Sequence, residues 1–413
     1  MNRRFVACLS CYTEYTARRL QQFQKSERNG ASFQIEKVVS DAFRFVENAY
    51  LFSLETISCN KCIAYKNTYR SGREMKYRLF GKSGLRVSEI ALGTMTFGTD
   101  WGWGADEKEC RAMFDLFADM GGNFIDTANR YTEGSSEQIV GACIKSDRDR
   151  FVVATKYTLY DRKGDVNFSG NHRKNMMRSV NQSLKRLGTD YIDILWLHAW
   201  DYLTPVEEVM RGMDDLIRTG KVHYLGISDT PAWIVAQANT LAGFRGWSEF
   251  SGLQVEYSLL QRTPERDLIP MAQAFGMTVT PWAPLAGGVL TGKYLKGESG
   301  RISEKSDRRS DRSNRIASKV VASAEKLGVT PAQIALRWTM QKEFSSIPIV
   351  GGRNVKQLRE SLGALDVAIP DEIMNELDEV SRIDLGFPHD FLSKKETRLV
   401  IFGGMDESIA RRT

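Results

Sequence analysis

Several signals of common protein classes are absent from this 413-residue sequence. No uncharged apolar run approaches the roughly 18 residues needed to span a membrane, which argues against a transmembrane helix. The Arg-rich start lacks the apolar core of a secretory signal and is not a convincing transit peptide. No Gly-x-Gly-x-x-Gly follows an apolar, strand-like run, so a Rossmann dinucleotide site is not indicated. We therefore expect a cytoplasmic protein with no membrane partner.

The net charge of +6 is distributed unevenly along the chain. Residues 1–74 contain 12 Lys and Arg against 7 Asp and Glu, so the rest of the chain is nearly neutral, with charges of mixed sign. A nucleic-acid-binding protein more often gathers its basic residues on one face. We expect no nucleic-acid partner.

Residues 1–74 differ in character from the remainder and are treated as an appendage. Part of this segment, FQIEKVVSDAFRFVENAYLFSLETI, has helical spacing of apolar residues, so the appendage is expected to be poorly ordered or partly helical. The regular pattern of the main domain, residues 75–413, begins after a polar linker. The sequence leaves open whether residues 1–74 are present in the mature protein.

Cysteines are few, and most lie in the appendage. Four of the six form two Cys-x-x-Cys pairs: Cys8 with Cys11, and Cys59 with Cys62. Two such pairs can hold zinc, but the segment between them far exceeds a zinc-ribbon gap, which favours unrelated cysteines. Cys110 and Cys143 fall on expected helices and are interpreted as buried, reduced thiols. We expect no metal site, and the sequence leaves open whether residues 1–74 bind zinc.

From Met75 onward, short apolar runs rich in β-branched residues alternate with longer amphipathic ones. The strand candidates are IALGTMTFG, NFIDTA, RFVVATKY, YIDILWLH, VHYLGIS, GLQVEYSLL, MTVTPWAP and SSIPIVGG. Eight βα units in about 300 residues fit one closed (β/α)8 TIM barrel. An open doubly wound sheet is the alternative, but it usually has fewer strands and a Gly-rich first turn.

Three further segments are expected around this barrel. YRLFGKSGLRVSEI predicts an N-terminal hairpin that closes the barrel bottom. The polar run LKGESGRISEKSDRRSDRSN, after the seventh strand, is too long for an ordinary connection and predicts a mobile loop over a site. The C-terminal tail GFPHDFLSKKETRLVIFGG is expected to fold over the same site.

One motif imitates a phosphate-binding P-loop. The segment GGVLTGK, from Gly287 to Lys293, satisfies Gly-x-x-x-x-Gly-Lys. The next residue is Tyr294, where a P-loop needs the Ser or Thr that holds Mg²⁺, and a polar loop follows where a helix should begin. A nucleoside triphosphatase is therefore not expected, although the Gly-rich backbone could still approach a pyrophosphate.

Polar side chains recur where the expected strands end, which is the active face of a (β/α)8 barrel. They are Asp126, Tyr131, Lys156 and His198. Each side chain alone also fits a structural role, but four at one rim are harder to explain that way. An ammonium beside a phenol lowers the pKa of the phenol, and a carboxylate keeps that ammonium charged. The set makes a proton donor over a carbonyl without a nucleophile or metal, so an external hydride source is implied.

At this point seven motifs, in order, resemble the aldo-keto reductases over about residues 75–395. They are FIDTANRYTEGSSEQIVG, VATKY, ILWLH, LGISD, LQVEYSLL, PWAPLAGGVLTGKY and IPIVGGRNVKQLRESLGAL. The long-chain type related to potassium-channel β subunits is the subtype expected. The resemblance implies NADPH-dependent reduction of aldehydes and ketones to alcohols. Tyr131 is the implied general acid, Lys156 paired with Asp126 tunes it, and His198 orients the substrate.

The resemblance also implies a cofactor site. Ser228, Asp229 and Gln254 would contact the nicotinamide carboxamide, Tyr257 would stack on the ring, and Arg353 would meet the 2′-phosphate, which predicts NADPH over NADH. Asp229 departs from the pattern, since Asn is frequent there, and Ser361 stands where some relatives have Asn. The full set of expected cofactor contacts is Gly93, Thr94, Met95, Asp126, Ser228, Asp229, Gln254, Tyr257, Trp282, Ala283, Pro284, Leu285, Ala286, Gly287, Lys293, Gly351, Arg353, Gln357, Glu360 and Ser361.

The substrate side of the site is less defined by the sequence. Trp101 and Trp103, in GTDWGWG, would line the mouth beside Tyr131 and His198, which suits hydrophobic or aromatic carbonyl compounds. The alternative function is a cofactor-binding regulatory or interaction protein with little turnover, a use to which the channel β subunits put this fold. Those subunits replace the residue at the position of His198, so its presence favours turnover. The physiological substrate and the oligomeric state stay open.

Overall fold

The computed structural model describes residues 75–298, 300, 302–303 and 305–410. The expectations for residues 1–74, including the partly helical appendage and the four thiolates, lie outside the described residues. So do the last three residues of the main domain.

Eight strands of the described chain form one parallel sheet, with neighbours in chain order apart from the last strand, which lies beside the first. Their bounds are β3 Ala91–Gly93, β4 Phe124–Asp126, β5 Val152–Tyr157, β6 Ile192–Leu197, β7 Val222–Ser228, β8 Phe250–Glu256, β9 Thr278–Trp282 and β10 Ile349–Val350. β9 pairs with the segment that leads into β10 through a parallel bridge between Val279 and Ser346. Val279 N–H donates to Ser345 O at 2.8 Å, and Ile347 N–H donates to Val279 O at 2.9 Å. The ring of strands is thus nearly closed, and the predicted (β/α)8 barrel and its eight strands are confirmed.

A two-stranded antiparallel hairpin precedes the barrel, as expected. It consists of β1 Tyr77–Leu79 and β2 Arg86–Ser88. Phe80, in its turn, is fully buried and packs edge-on against Phe124 and Trp196. The hairpin therefore seals the end of the barrel where the strands begin.

Trp196 fills the barrel above this seal, and two glycines make room for it. A Cβ on Gly226 would lie 2.2 Å from the indole of Trp196. A Cβ on Gly252 would lie 2.3 Å from Phe80 and 2.8 Å from the same indole. Both positions therefore exclude a side chain because the large aromatic groups occupy its space.

Helices surround the barrel, and several start at clear sequence signals. Asp106 caps the first helix by accepting from the N–H of Glu109, and Thr330 and Gln333 form a capping box. The helices are α1 Glu107–Asp119, α2 Ser135–Ile144, α3 Arg173–Leu187, α4 Val206–Arg218, α5 Ala232–Arg245, α6 Leu268–Ala274, α7 Asp311–Leu327, α8 Pro331–Met340, α9 Val355–Leu362, α10 Asp371–Ser381, α11 His389–Ser393 and α12 Lys395–Phe402. Cys110 on α1 and Cys143 on α2 are buried free thiols, as expected. Among the described helices, none combines the length and apolar character needed to cross a bilayer.

The loop after β9 and the C-terminal tail were both expected to cover the site. Of the loop, the described part includes Ile302, which lies against Gly287, and Arg308, which pairs with Glu256 at the end of β8. The mobility of the loop stays a prediction. The tail forms α11 and α12, and apolar side chains such as Phe387 and Val400 are exposed along it. Its closure over the site also stays a prediction.

Candidate active site

The carboxyl ends of neighbouring strands bring the four expected catalytic side chains together. Asp126 is the last residue of β4, Lys156 lies one residue before the end of β5, and His198 follows β6 directly. The backbone N–H of His198 donates to Tyr157 O at 3.2 Å, which fixes the backbone of this residue beside β5. Tyr131 lies five residues after β4, in a short 3₁₀ turn. One sheet edge thus assembles residues that are up to 72 positions apart in the sequence.

Lys156 is the centre of this cluster. Its side chain is 0% exposed, and Nζ lies 2.5 Å from Asp126 Oδ2, 2.8 Å from Thr127 O and 3.2 Å from Tyr131 Oη. Burial alone would lower the pKa of Lys156, but the Asp126 carboxylate and Tyr131 reverse this, so the pKa lies above its ordinary value. The lysine therefore stays charged, and Asp126 and Tyr131 are held to one ammonium.

The Tyr131 phenol does not have the lowered pKa that its ammonium neighbour suggested. Burial raises the pKa of Tyr131 above its ordinary value, and the opposing effect of Lys156 is smaller. The expectation of a net decrease in this pKa is therefore wrong. A raised pKa keeps the phenol protonated at neutral pH, which suits a group that donates a proton.

The turn that carries Tyr131 is unusual in its backbone. Thr132 and Glu133 both have positive φ, 44° and 56°, and Gly134 follows at 98°. Non-glycine residues rarely adopt this left-handed conformation, which costs about 1–3 kcal/mol each. Thr132 is held in place because its hydroxyl donates to Phe97 O at 2.6 Å and accepts from the N–H of Ser136 at 3.1 Å. The strain thus lies directly beside the residue expected to do the chemistry.

His198 completes the cluster as a neutral imidazole. Its pKa lies well below the ordinary value, because of burial and because the Lys156 ammonium is near. The ring is edge-on to that of Tyr131, with centroids 6.1 Å apart. Its Nδ1 atom is buried without a hydrogen-bond partner among the described residues. A neutral imidazole with an unused nitrogen can orient a polar ligand atom beside the phenol.

Aromatic side chains surround the mouth of this cavity. Trp101 and Trp103 pack together with ring centroids 5.5 Å apart, and Trp101 Nε1 donates to Glu133 at 2.9 Å. Glu133 also pairs with Arg130, and the Arg130 guanidinium donates to Tyr160 Oη at 2.8 Å and lies 4.4 Å from the Tyr160 ring centroid. Loops after β3, β4 and β5 are therefore joined around Tyr131.

Arg130, Glu133 and Tyr160 were not among the expected site residues. Arg130 directly precedes Tyr131, and Tyr160 follows β5 by three residues. The rule that barrel loops carry the site would have included Tyr160. The role of Glu133 depends on the left-handed turn, for which the sequence contains little signal apart from the following glycine.

The expected nicotinamide contacts lie beside the cluster around Lys156. Gln254 Nε2 donates to Asp126 Oδ1 at 3.0 Å, so one carboxylate joins Gln254 to Lys156. The hydroxyl oxygen of Ser228 is buried without a hydrogen-bond partner in the described residues. Trp282 Nε1 donates to Asp229 Oδ1 at 3.1 Å at the mouth. An unused buried hydroxyl beside an amide and a carboxylate fits the carboxamide of a nicotinamide.

The Gly-rich segment after β9 fits the role of a pyrophosphate cradle. Positive φ angles occur at Ala283, Ala286, Gly287 and Gly288, an irregular backbone of the kind that can turn N–H groups toward an anion. A Cβ on Gly288 would lie 3.0 Å from Lys293 Nζ, so the ammonium is held at this loop. Pro284 and the side chain of Ala286 are buried, and Leu285 is partly buried, so the backbone is the part of this segment suited to contact a ligand.

The last group of expected cofactor contacts lies around β3, β10 and α9. A Cβ on Gly351 would lie 2.9 Å from Gly93 O, so these two glycines are in close approach, and Met95 follows Gly93 at the rim. Arg353 is exposed, and its N–H donates to Gln357 Oε1 at 2.9 Å. Glu360 is also exposed, on α9. An exposed guanidinium at a helix start is a suitable partner for a phosphate.

Three of the expected contacts are buried; among them only Tyr257 has both its ring and its hydroxyl engaged by other residues, and the roles of Thr94 and Ser361 stay predictions. Tyr257 is 0% exposed: its hydroxyl donates to Glu265 at 2.6 Å, and its ring stacks on Trp338, so it cannot stack on a nicotinamide. Thr94 is also fully buried, and its hydroxyl donates to Asp126 O at 3.0 Å. Ser361 is buried within α9. Trp282, partly exposed at the mouth, is the aromatic group that the structure offers in place of Tyr257.

No group of three or more His, Cys, Asp or Glu side chains in the described residues has the arrangement of a metal site.

Comparisons with known proteins agree with this geometry. The model of the aldo/keto reductase family matches residues 89–382. A norsolorinic acid reductase of Aspergillus flavus is 39% identical over 332 residues, which cover 78% of this chain and 84% of that protein. An aryl-alcohol dehydrogenase of Phanerodontia chrysosporium, named for NADP(+), is 38% identical over 329 residues, covering 74% of this chain and 86% of that protein. The closer relation to channel β subunits stays a prediction. The chain belongs to the aldo/keto reductase family and is a nicotinamide-dependent oxidoreductase that reduces carbonyl compounds.

Proposed function

We propose that the chain reduces aromatic aldehydes or ketones with NADPH and that Tyr131 supplies the proton. The observation that carries the proposal is the contact of one buried ammonium, Lys156 Nζ, with both Asp126 and Tyr131 at the barrel mouth. This arrangement places a protonated phenol beside a fixed positive charge in a site that excludes much of the water.

In this proposal, each residue has a defined task. When bound, the reduced nicotinamide supplies a hydride to the carbonyl carbon. Tyr131 donates its O–H proton to the carbonyl oxygen, and His198 hydrogen-bonds to that oxygen and orients it. Lys156 stabilises the phenolate that remains, and Asp126 keeps Lys156 charged. In alcohol oxidation the Tyr131 phenolate accepts the proton instead.

NADPH is the proposed cofactor because of Arg353. Its exposed guanidinium at the start of α9 can pair with the 2′-phosphate of NADPH, a group that NADH lacks. The name of the Phanerodontia relative also specifies NADP(+). Separate titrations with NADPH and NADH test this. Arg353→Ala should weaken the binding of NADPH and leave the affinity for NADH unchanged. Equal affinity of the native protein for both would remove the phosphate role.

An aromatic substrate is proposed because of the mouth. Trp101, Trp103 and Tyr160 offer planar apolar surfaces beside Tyr131, and aromatic rings stack favourably on such surfaces. The names of relatives that act on norsolorinic acid and on aryl alcohols point in the same direction. The cytoplasmic location stays a prediction.

The rival proposal is a cofactor-binding regulatory protein with little turnover. The presence of His198 with Asp126, Tyr131 and Lys156 argues for turnover. The test is NADPH oxidation, followed at pH 7, with a panel of benzaldehydes, aryl ketones, quinones and aliphatic aldehydes, and with Tyr131→Phe as the blank. We expect alcohol products from aryl carbonyls, above the blank. Cofactor binding with no product from any member of the panel would favour the regulatory protein.

A further inference from the structure

Asp229 is a carboxylate held at the mouth of the barrel where the backbone conformation favours few residues. Its φ is 41°, in the left-handed region that Asn and Asp tolerate best among residues with a side chain. Its N–H donates to Gln254 O, and its C=O accepts from the N–H of Trp200. The residue is therefore fixed between the ends of β6, β7 and β8, directly after Ser228.

The side chain of Asp229 points to the groups of the expected nicotinamide site. Oδ1 accepts from Trp282 Nε1 at 3.1 Å, and the residue is otherwise exposed at the mouth. The pKa of Asp229 lies above its ordinary value, chiefly because the surrounding loops remove part of its solvent. The hydrogen bond from Trp282 and the Lys156 ammonium oppose this increase in pKa, and the Glu256 carboxylate adds to it. The carboxylate thus lies within electrostatic range of the catalytic lysine.

A negative charge here would treat the two redox states of the cofactor differently. The oxidised nicotinamide ring carries a positive charge, and the reduced ring is neutral. A carboxylate attracts the charged ring and gains nothing comparable from the neutral one. Asn has the same shape, can accept the same hydrogen bond from Trp282, and adopts positive φ at least as readily, but it carries no charge.

We propose that Asp229 is a specificity-determining residue that makes the enzyme bind the oxidised cofactor more tightly relative to the reduced one. The inference rests on the proposed function, since it needs the nicotinamide at this mouth. Tighter binding of the oxidised cofactor also shifts the equilibrium on the enzyme toward the complex of NADP+ with the alcohol, which is the product of reduction, although the equilibrium in solution is unchanged. Asp229 would then favour hydride transfer to the carbonyl within the bound complex.

The expected effect follows from Coulomb's law. A unit charge pair at about 4 Å changes a binding constant by about five-fold in water, and by more when the site excludes water. We therefore expect Asp229→Asn to change the ratio of the two dissociation constants by about five- to ten-fold. The change should come mainly from weaker binding of NADP+. In the native protein, 0.5 M salt should reduce the contribution of the Asp229 charge to NADP+ binding.

The experiment titrates the native chain, Asp229→Asn and Asp115→Asn with NADP+ and with NADPH at pH 7.5, by tryptophan fluorescence or calorimetry. Asp115, in an exposed ion pair on α1, is the matched control and should leave both constants unchanged. The proposal is overturned if Asp229→Asn leaves the ratio of the two dissociation constants unchanged. Equal weakening of NADP+ and NADPH binding is one such result and would show that the side chain acts only as a hydrogen-bond acceptor. A native chain that binds neither cofactor overturns the proposed function itself, and the inference with it.

Discussion

The two ends of the barrel differ in what fills them. Where the strands begin, apolar side chains of the hairpin and the first strand residues pack together, among them Phe80, Phe124 and Val152. Where the strands end, the same barrel buries an ammonium paired with a carboxylate, a phenol that is hydrogen-bonded to the ammonium, and an imidazole edge-on to that phenol. The first end is packed like a stable apolar core. The second end contains buried charged groups and residues with a strained backbone conformation. Stability and chemistry are therefore separated along the barrel axis, as is usual for this architecture.

The buried ion pair of Asp126 and Lys156 contributes to both stability and chemistry. Breaking this pair should therefore have the largest effect. Asp126→Asn leaves the Lys156 ammonium buried without its carboxylate, at a cost of about 3–5 kcal/mol in the free energy of unfolding. Urea unfolding measures this. The double variant Asp126→Asn with Lys156→Met should recover much of the stability but no activity. A single variant as stable as the native chain would show that Lys156 loses its charge or finds another partner.

At the opposite end, Phe80→Ala should affect stability alone. Removal of this fully buried phenyl ring should lower the free energy of unfolding by about 3–5 kcal/mol, because the substitution leaves a cavity between the hairpin and Trp196. The folded fraction should keep its native turnover rate. Leu79→Ala is the control: Leu79 is 56% exposed, and its loss should shift the free energy of unfolding by less than about 0.5 kcal/mol. A much slower turnover by folded Phe80→Ala would mean that the two ends are coupled.

The raised pKa of Tyr131 predicts that the two reaction directions differ in pH dependence. Reduction needs the protonated phenol, which is present below the raised pKa, so its rate should be nearly constant from pH 7 to 9. Alcohol oxidation needs the phenolate, so its kcat/KM should rise about tenfold per pH unit over the same range. Initial rates in both directions measure this. A plateau for oxidation below pH 8 would show that bound cofactor lowers the pKa of the phenol.

The smallest effect is expected at the edge of the mouth. Glu133→Gln removes the charge that faces Arg130 but keeps an acceptor for Trp101. The Glu133 side chain is 52% exposed, and such ion pairs contribute at most about 1 kcal/mol, so KM should change by less than about five-fold and the turnover rate hardly at all. Steady-state kinetics with an aryl aldehyde measures both. If turnover instead slowed by two orders of magnitude, Glu133 would belong among the residues that position Tyr131.

The strands and the catalytic cluster could be predicted from the sequence for a physical reason. Strands buried on both faces need continuous apolar runs, and parallel strands bring their carboxyl ends to one edge. Once the runs were identified, Asp126, Lys156 and His198 had to lie at the same rim. The contact between Lys156 and Asp126 then followed from their opposite charges.

Tyr257 shows why the rest could not be predicted as well. Gln254 points into the barrel, where it contacts Asp126, and successive residues of a strand alternate between the two faces. A residue three positions later points away from the cavity, where Tyr257 meets Trp338 of α8. The prediction relied on the closeness of Tyr257 to Gln254 in the sequence. The alternation of side chains along the strand would have placed Tyr257 on the opposite face.

The pKa of Tyr131 illustrates a second limit. Its ammonium neighbour was predicted correctly, but the sign of the net shift depends on how deeply the phenol is buried. Burial is a property of all the loops around the mouth, including the turn at Thr132 and Glu133 that no motif encodes. Electrostatic balance at a site therefore needs the tertiary structure even when its members are known.

The most direct test of the catalytic role of Tyr131 is a single-turnover measurement. Native chain and Tyr131→Phe, both saturated with NADPH, are mixed with excess aryl aldehyde, and the loss of NADPH absorbance is followed. We predict unchanged NADPH affinity and thermal stability, with the rate of the first turnover lowered at least about 100-fold, the lower range for loss of a general acid. A Tyr131→Phe protein that oxidises its bound NADPH at the native rate would contradict the proposal that this phenol protonates the carbonyl.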